Sequence, residues 1–237
     1  MTIEEEMNSA KRTARAAGFL YLIIFCLGIF AELFVRQNLI VPGDAAATVN
    51  NIMASESLFR LSLLIDLIRH TFLILLPLVL YRLLKPVNQN IALLMVVLAL
   101  VSISIAFINE LNHFAVLLLL NSADYLTAFG ADQLQAQVMF FLDLYAYGAY
   151  IPQLLSLWLL PLGYLVFKSG FLPRILGILL MVGCFCYLID AVSFLLFSNS
   201  MATLSLFAFI GELVFALWLL IKGVSVEGLQ KRVLEYA

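Results

Sequence analysis

Long apolar runs, broken at intervals by short polar stretches, dominate this chain. A bilayer core of about 30 Å needs roughly 20 apolar residues per helix. Six runs approach that length: about Ala17–Val35, Leu58–Leu84, Ile91–Leu120, Leu134–Phe167, Ile175–Phe197 and Ala202–Ile221. The pattern predicts an all-α polytopic transmembrane helix bundle. It has six transmembrane helices in a single domain over residues 1–237. Lys11, Arg12 and Arg15 before the first run suggest a signal peptide. That run, however, is about a full membrane thickness and no small-x-small cleavage site follows it, so it reads as a permanent helix.

Basic residues set the orientation. Lys11, Arg12 and Arg15 precede the first helix, and Arg82 and Lys85 follow the second. Lys168 and Arg174 follow the fourth, and Lys222, Lys231 and Arg232 follow the sixth. These are ten of the 13 Lys and Arg residues, and alternating helices put them all on one side. Both termini are therefore expected in the cytoplasm, as an N-terminal segment 1–16 and a tail 223–237. Residues 37–57 and 121–133 become external loops. In the first, Pro42-Gly43 reads as a turn and Asp44 as the N-cap of a short amphipathic helix over Ala45–Ser55. Its apolar residues Val49, Ile52 and Met53 share a face that suits the membrane surface. In the second, Asp124 reads as a turn cap and Asp132 as the cap of the fourth helix.

Composition agrees with the pattern. Hydrophobic residues make up 64% of the 237, charged residues only 12%, and mean hydropathy is +1.07. A soluble domain is about one quarter charged. An ordinary soluble enzyme and a disordered chain are excluded, and the net charge of −2 excludes a nucleic-acid partner. The lipid bilayer is the partner that remains. Cys26, Cys184 and Cys186 sit in apolar runs with no redox or zinc spacing, and read as small hydrophobes.

The charged residues that remain inside the spans are more informative. Each span carries one carboxylate: Glu32, Asp66, Glu110, Asp143, Asp190 and Glu212. Left unpaired, six such charges would cost on the order of 15 kcal/mol. Three arginines, Arg36, Arg60 and Arg69, leave three of the acids without a fixed counter-charge. Those acids must pair, take a proton or hold a cation. Helical spacing aligns Ser62, Asp66, Arg69 and His70 on one stripe. It likewise aligns Ser102, Asn109, Glu110 and His113, then Asp143 and Tyr147 with Tyr150. Cys186, Asp190 and Ser193 form a fourth stripe, and Ser205 and Glu212 a fifth. The stripes fall in the external half of the spans, which predicts one shared polar cavity. Its candidate lining is Asp66, Arg69, His70, Asn109, Glu110, His113, Asp143, Tyr147, Asp190 and Glu212. Pro152 is expected to kink the fourth helix beside it.

Several blocks are specific enough to carry a likeness. Leu39-Ile-Val-Pro-Gly-Asp-Ala-Ala46, Leu142-Asp-Leu-Tyr145 and Phe171-Leu-Pro-Arg-Ile-Leu-Gly177 are among them. With them the chain resembles, over nearly its whole length, a family of bacterial polytopic membrane proteins catalogued as a domain of unknown function. The resemblance implies a multi-pass protein of the bacterial cytoplasmic (inner) membrane. It carries over no catalytic residues.

Three readings of the acids stay open. The cavity binds or conducts a small polar or cationic ligand, or protons. Alternatively, His70, His113, Glu110 and Asp66 hold a divalent metal for an intramembrane hydrolase, though no His-Glu-x-x-His or third histidine supports that. Or the i, i+3 and i, i+4 pairs Glu32–Arg36, Asp66–Arg69 and Glu110–His113 only fix helix packing in a structural or sensory protein. No cofactor is otherwise required. A homo-oligomer is compatible with the size, but no GxxxG face marks a contact.

Overall fold

The computed structural model describes residues 3–121, 129–197 and 204–225. Asp124, Lys231 and Arg232, the rest of the tail from 226 and the start of the sixth apolar run lie outside them. Every regular element among the described residues is helical. Helix α1 covers Ile3–Ile29 and continues through a π-helical segment, Phe30–Arg36, into the short α2, Gln37–Leu39. Then follow α3 (Ala45–Ala54), α4 (Glu56–Leu84), α5 (Gln89–Asn109) and α6 (Leu111–Leu120). The fourth apolar run is divided into α7 (Ala131–Gly148), α8 (Tyr150–Leu154), a 3-10 turn (Ser156–Trp158) and α9 (Leu159–Ser169). Helices α10 (Arg174–Leu196) and α11 (Ser205–Ile221) are the last elements among the described residues.

Five continuous helical stretches are long and apolar enough to cross a membrane. They are Met7–Leu39, Glu56–Leu84, Gln89–Leu120, Ala131–Ser169 and Arg174–Leu196. Helix α11 is apolar but shorter, with 17 residues. Large apolar side chains stay exposed along these helices, as at Leu93, Val97 and Val101 on one face of α5. Water would not tolerate such a stripe, whereas lipid does.

The departures from straight helix have local causes. Pro152 has no N–H to give to the carbonyl four residues earlier and its ring crowds that turn. The helix accordingly breaks at Ala149, and a second turn follows at Leu155. The Pro152 carbonyl is served by two hydroxyls instead, Ser102 Oγ at 2.8 Å and Ser156 Oγ at 3.1 Å. In the π segment the Gln37 N–H reaches back to the Glu32 carbonyl. Glu110 sits at the break between α5 and α6.

The chain forms two compact units. The first comprises Met1–Ile23, Phe72–Ile103 and Ile151–Ala237, and the second Ile24–Thr71 and Ser104–Tyr150. In the first, α9 and α10 pack backbone to backbone at paired glycines. A Cβ on Gly163 would lie 2.6 Å from the Gly177 carbonyl, and one on Gly177 would lie 2.6 Å from the Phe167 nitrogen. Small residues allow such close approach in membranes.

In the second unit, Val35, Leu39, Val49, Ile52, Phe59, Val116, Val138 and Leu142 form a buried core. Helix α3 belongs to it. Asp44 caps α3 as the sequence predicts, with Oδ1 accepting from Ala47 N at 2.9 Å. The expected apolar face is only partly right. Val49 and Ile52 pack into this core, while Met53 is 59% exposed. Thr48 takes the third inward position, and its hydroxyl bonds the Val41 and Asp44 carbonyls at 3.2 and 2.8 Å. The face of α3 is therefore turned to protein. Helix α7 is capped at Gly130, two residues before the expected cap at Asp132. The Gln133 side chain accepts from Gly130 N at 3.0 Å, leaving Asp132 in the first turn.

Candidate functional site

The second unit gathers ionisable side chains from four helical segments. The π segment supplies Glu32 and Arg36, and α4 supplies Asp66, Arg69 and His70. Helix α5 ends on Asn109, Glu110 stands at the break, α6 brings His113, and α7 brings Tyr145. Asp66, His70, Glu110 and His113 are all buried, as is Arg36.

Asp66 is the anchor. Arg36 Nη1 meets its Oδ2 at 2.5 Å and Arg69 Nε its Oδ1 at 3.0 Å. Arg36 also donates from Nε to Glu32, 2.8 Å away, and Glu32 is itself half-exposed. Charge-assisted pairs of this kind satisfy both oxygens of a buried carboxylate.

Glu110 has different company. Its Oε2 lies 3.1 Å from His113 Nδ1, and its Oε1 lies 3.4 Å from the Tyr145 hydroxyl and 3.7 Å from His70 Nδ1. The neighbours fix the tautomers, because a guanidinium donates and a carboxylate accepts. Arg69 Nη2 faces His70 Nε2 at 3.4 Å, so the neutral His70 carries its hydrogen on Nδ1, toward Glu110. His113 donates from Nδ1 to Glu110, which leaves its Nε2 as the acceptor. That atom is buried without a hydrogen-bond partner, as is His70 Nδ1. The His113 ring stacks on Tyr145, centroids 3.6 Å apart and planes 26° apart, and meets Phe59 edge-on at 5.6 Å. The Arg36 guanidinium also lies over the Tyr145 ring, 5.5 Å from its centroid.

Ligand atoms of Asp66, Glu110 and His113 lie within 4.8 Å of one another, close enough to share an ion. The residues do not fit a divalent metal as arranged. Both Asp66 oxygens already hold guanidinium groups, and His70 Nε2 faces a third guanidinium nitrogen. A dication there would stand beside two fixed positive charges.

The sequence-predicted residues divide. Asp66, Arg69, His70, Glu110 and His113 come together. Asn109 joins as a strut, its Nδ2 donating to the Tyr145 carbonyl at 2.8 Å. It fits because a Cβ at Gly148 would collide with it. Asp143 and Tyr147 do not join: both are exposed, Tyr147 by 55%. The cause is the apolar register of α7. Val138 and Leu142 are buried, and the next position on their face is Tyr145. Asp190 is buried but serves as a remote helix cap, its oxygens accepting from Leu204 N at 3.3 Å and Ser205 N at 2.6 Å. Glu212 accepts from Tyr187 within the first unit. Sequence reasoning missed Tyr145 and the bond from Arg36 to Asp66. The i, i+4, i+7 spacing of Val138, Leu142 and Tyr145 was a signal for the former. Nothing local announces the latter.

The profile of the family described as Domain of unknown function (DUF4386) matches residues 16–223. The chain belongs to the DUF4386 family. All of the cluster falls within the matched stretch. An uncharacterized protein of Archaeoglobus fulgidus is 44% identical over 62 residues, which is 26% of this chain and 37% of that protein. The match thus spans little more than a third of that relative's length. No solved structure matches the chain.

Proposed function

We propose that this DUF4386 protein binds and conducts protons across a bacterial cytoplasmic membrane through the Glu110–His113 pair. One observation carries the reading. The cluster holds three acids, Glu32, Asp66 and Glu110, and two arginines, and both arginines are bonded to Asp66. Glu110 is left with two histidines and a phenol, none permanently charged. One proton makes the cluster neutral. His113 Nε2 is the atom that takes it, since it is buried, basic and without a partner. The resulting imidazolium keeps its bond to Glu110 and its stack on Tyr145, a favourable cation–π arrangement. His70 is a poorer acceptor, because a hydrogen on its Nε2 would point at Arg69. The other three contributing stretches are locally irregular, at the π segment Phe30–Arg36, at Glu110 and at Ala149, and irregular turns within helices frequently lie at functional sites.

In this reading the chain spans the membrane six times with both termini in the cytoplasm. Helix α11 is about 25 Å long at 1.5 Å per residue, nearly a hydrocarbon thickness.

The test is proton flux into proteoliposomes carrying an internal pH dye, driven by an imposed membrane potential. Wild-type protein is expected to conduct, and Glu110→Gln and His113→Gln to fall to the level of empty vesicles. Folded wild-type protein that conducts no protons refutes the proposal. Variants that melt lower yet conduct normally make the cluster a packing device.

A further inference from the structure

Glu212 lies in the first unit, in the middle of α11, and the proton reading of Glu110 makes no use of it. It is buried, on a helix face shared with Ala208, Gly211, Phe215 and Ala216. Its one hydrogen-bond partner among the described residues is the Tyr187 hydroxyl of α10, which donates to Oε1 at 3.0 Å. The other ionisable group facing it is the Tyr21 hydroxyl of α1, within electrostatic reach. The Tyr21 ring is held edge-on to Phe215, centroids 6.0 Å apart. Among the described residues no lysine, arginine or histidine bonds to it.

An ionised carboxylate needs more than this. Desolvating it costs several kcal/mol, and a single phenol donor returns only part of that. If accepting from Tyr187 were the whole role, a glutamine would serve, since its amide oxygen accepts equally well at far lower burial cost. The acid differs from glutamine in one respect that the site exposes: it can take up and release a proton. We propose that Glu212 is a proton-exchange site inside the bilayer, separate from Glu110 and His113, and that its neutral form makes it a target for hydrophobic carbodiimides.

The labelling chemistry requires the proton. The carboxyl hydrogen passes to one carbodiimide nitrogen while the carboxyl oxygen adds to the central carbon, turning one C=N bond into a single bond. The acyl group then migrates from oxygen to nitrogen. The stable N-acylurea retains every atom of both reactants, with nothing oxidised or reduced.

The experiment treats the full chain in liposomes with dicyclohexylcarbodiimide and maps adducts by mass spectrometry. One adduct on Glu212 is expected, formed more slowly as the pH is raised and absent from Glu212→Gln. A water-soluble carbodiimide is expected to modify exposed acids in the first loop and at a helix start, such as Asp44 and Glu56, and to leave Glu212 unlabelled. Wild-type protein without a Glu212 adduct, or labelling indifferent to pH, overturns the proposal. This readout needs no variant to fold. Glu212→Gln adds a second test, because it keeps the Tyr187 bond: a melting temperature near wild type is expected, and a large drop would show that the carboxylate itself holds the helices. Failure here leaves the Glu110–His113 reading standing, since that is read by flux.

Discussion

Replacing Asp66 by asparagine separates a buried charge anchor from an ordinary helix pair. Asp66 is fully buried, and its two oxygens hold guanidinium nitrogens at 2.5 and 3.0 Å. Asparagine keeps one acceptor, turns an amide N–H₂ toward a donor and leaves two guanidinium groups without their shared anion. Removing one partner of a buried ion pair costs about 3–5 kcal/mol. That is between about two and three and a half decades in the folding equilibrium, at roughly 1.4 kcal/mol per decade. Arg36 supplies the control. Its other partner, Glu32, has a side chain 51% exposed and sits one turn away on the same segment. A pair of that kind is worth about 0.5 kcal/mol or less. Reversible unfolding in mixed micelles, followed by helical circular dichroism, is expected to show Asp66→Asn destabilised by about 3 kcal/mol or more and Glu32→Gln close to wild type. Equal losses in the two variants, or an Asp66→Asn loss under about 1 kcal/mol, would refute the claim that Asp66 is the anchor.

Three further outcomes follow from the geometry. Asp143→Asn is expected to conduct normally in the proteoliposome assay, because the side chain is exposed and outside the cluster. Asp190→Ala removes the acceptor of Leu204 and Ser205 N–H groups and is expected to cost about 1 kcal/mol, seen as a lower melting temperature and faster amide exchange at the start of α11. Gly163→Val drives a side chain into the Gly177 carbonyl and Met181, and a loss of about 1–3 kcal/mol or more in melting experiments is expected, where Gly→Val on the open side of a helix would cost far less.

Much of the local structure could be read from residue spacing. The Asp44 cap, the i, i+4 bond of Arg36 to Glu32, the i, i+3 bonds of Arg69 to Asp66 and His113 to Glu110, and the interruption at Pro152 all depend on neighbours within a turn or so. Such contacts are geometrically fixed once a helix forms. The candidate site was legible only in part. Asp143 and Asp190 share helical stripes with polar neighbours, yet one faces outward and the other caps a different helix.

By itself, then, the sequence determined the membrane setting, the helical class and the presence of an acid in every span. Tertiary structure alone decided which acids meet. The bond from Arg36 to Asp66 joins residues 30 positions apart, and Tyr145 rather than Tyr147 reaches Glu110. The physical reason lies in the solvent. In water, the apolar face of a helix marks its inner side. In lipid, acyl chains are as apolar as leucine, so hydrophobicity no longer separates the protein-facing side from the outer one. The rotation of each helix is then set by close packing, small residues and buried charge, which become visible only when the helices are together.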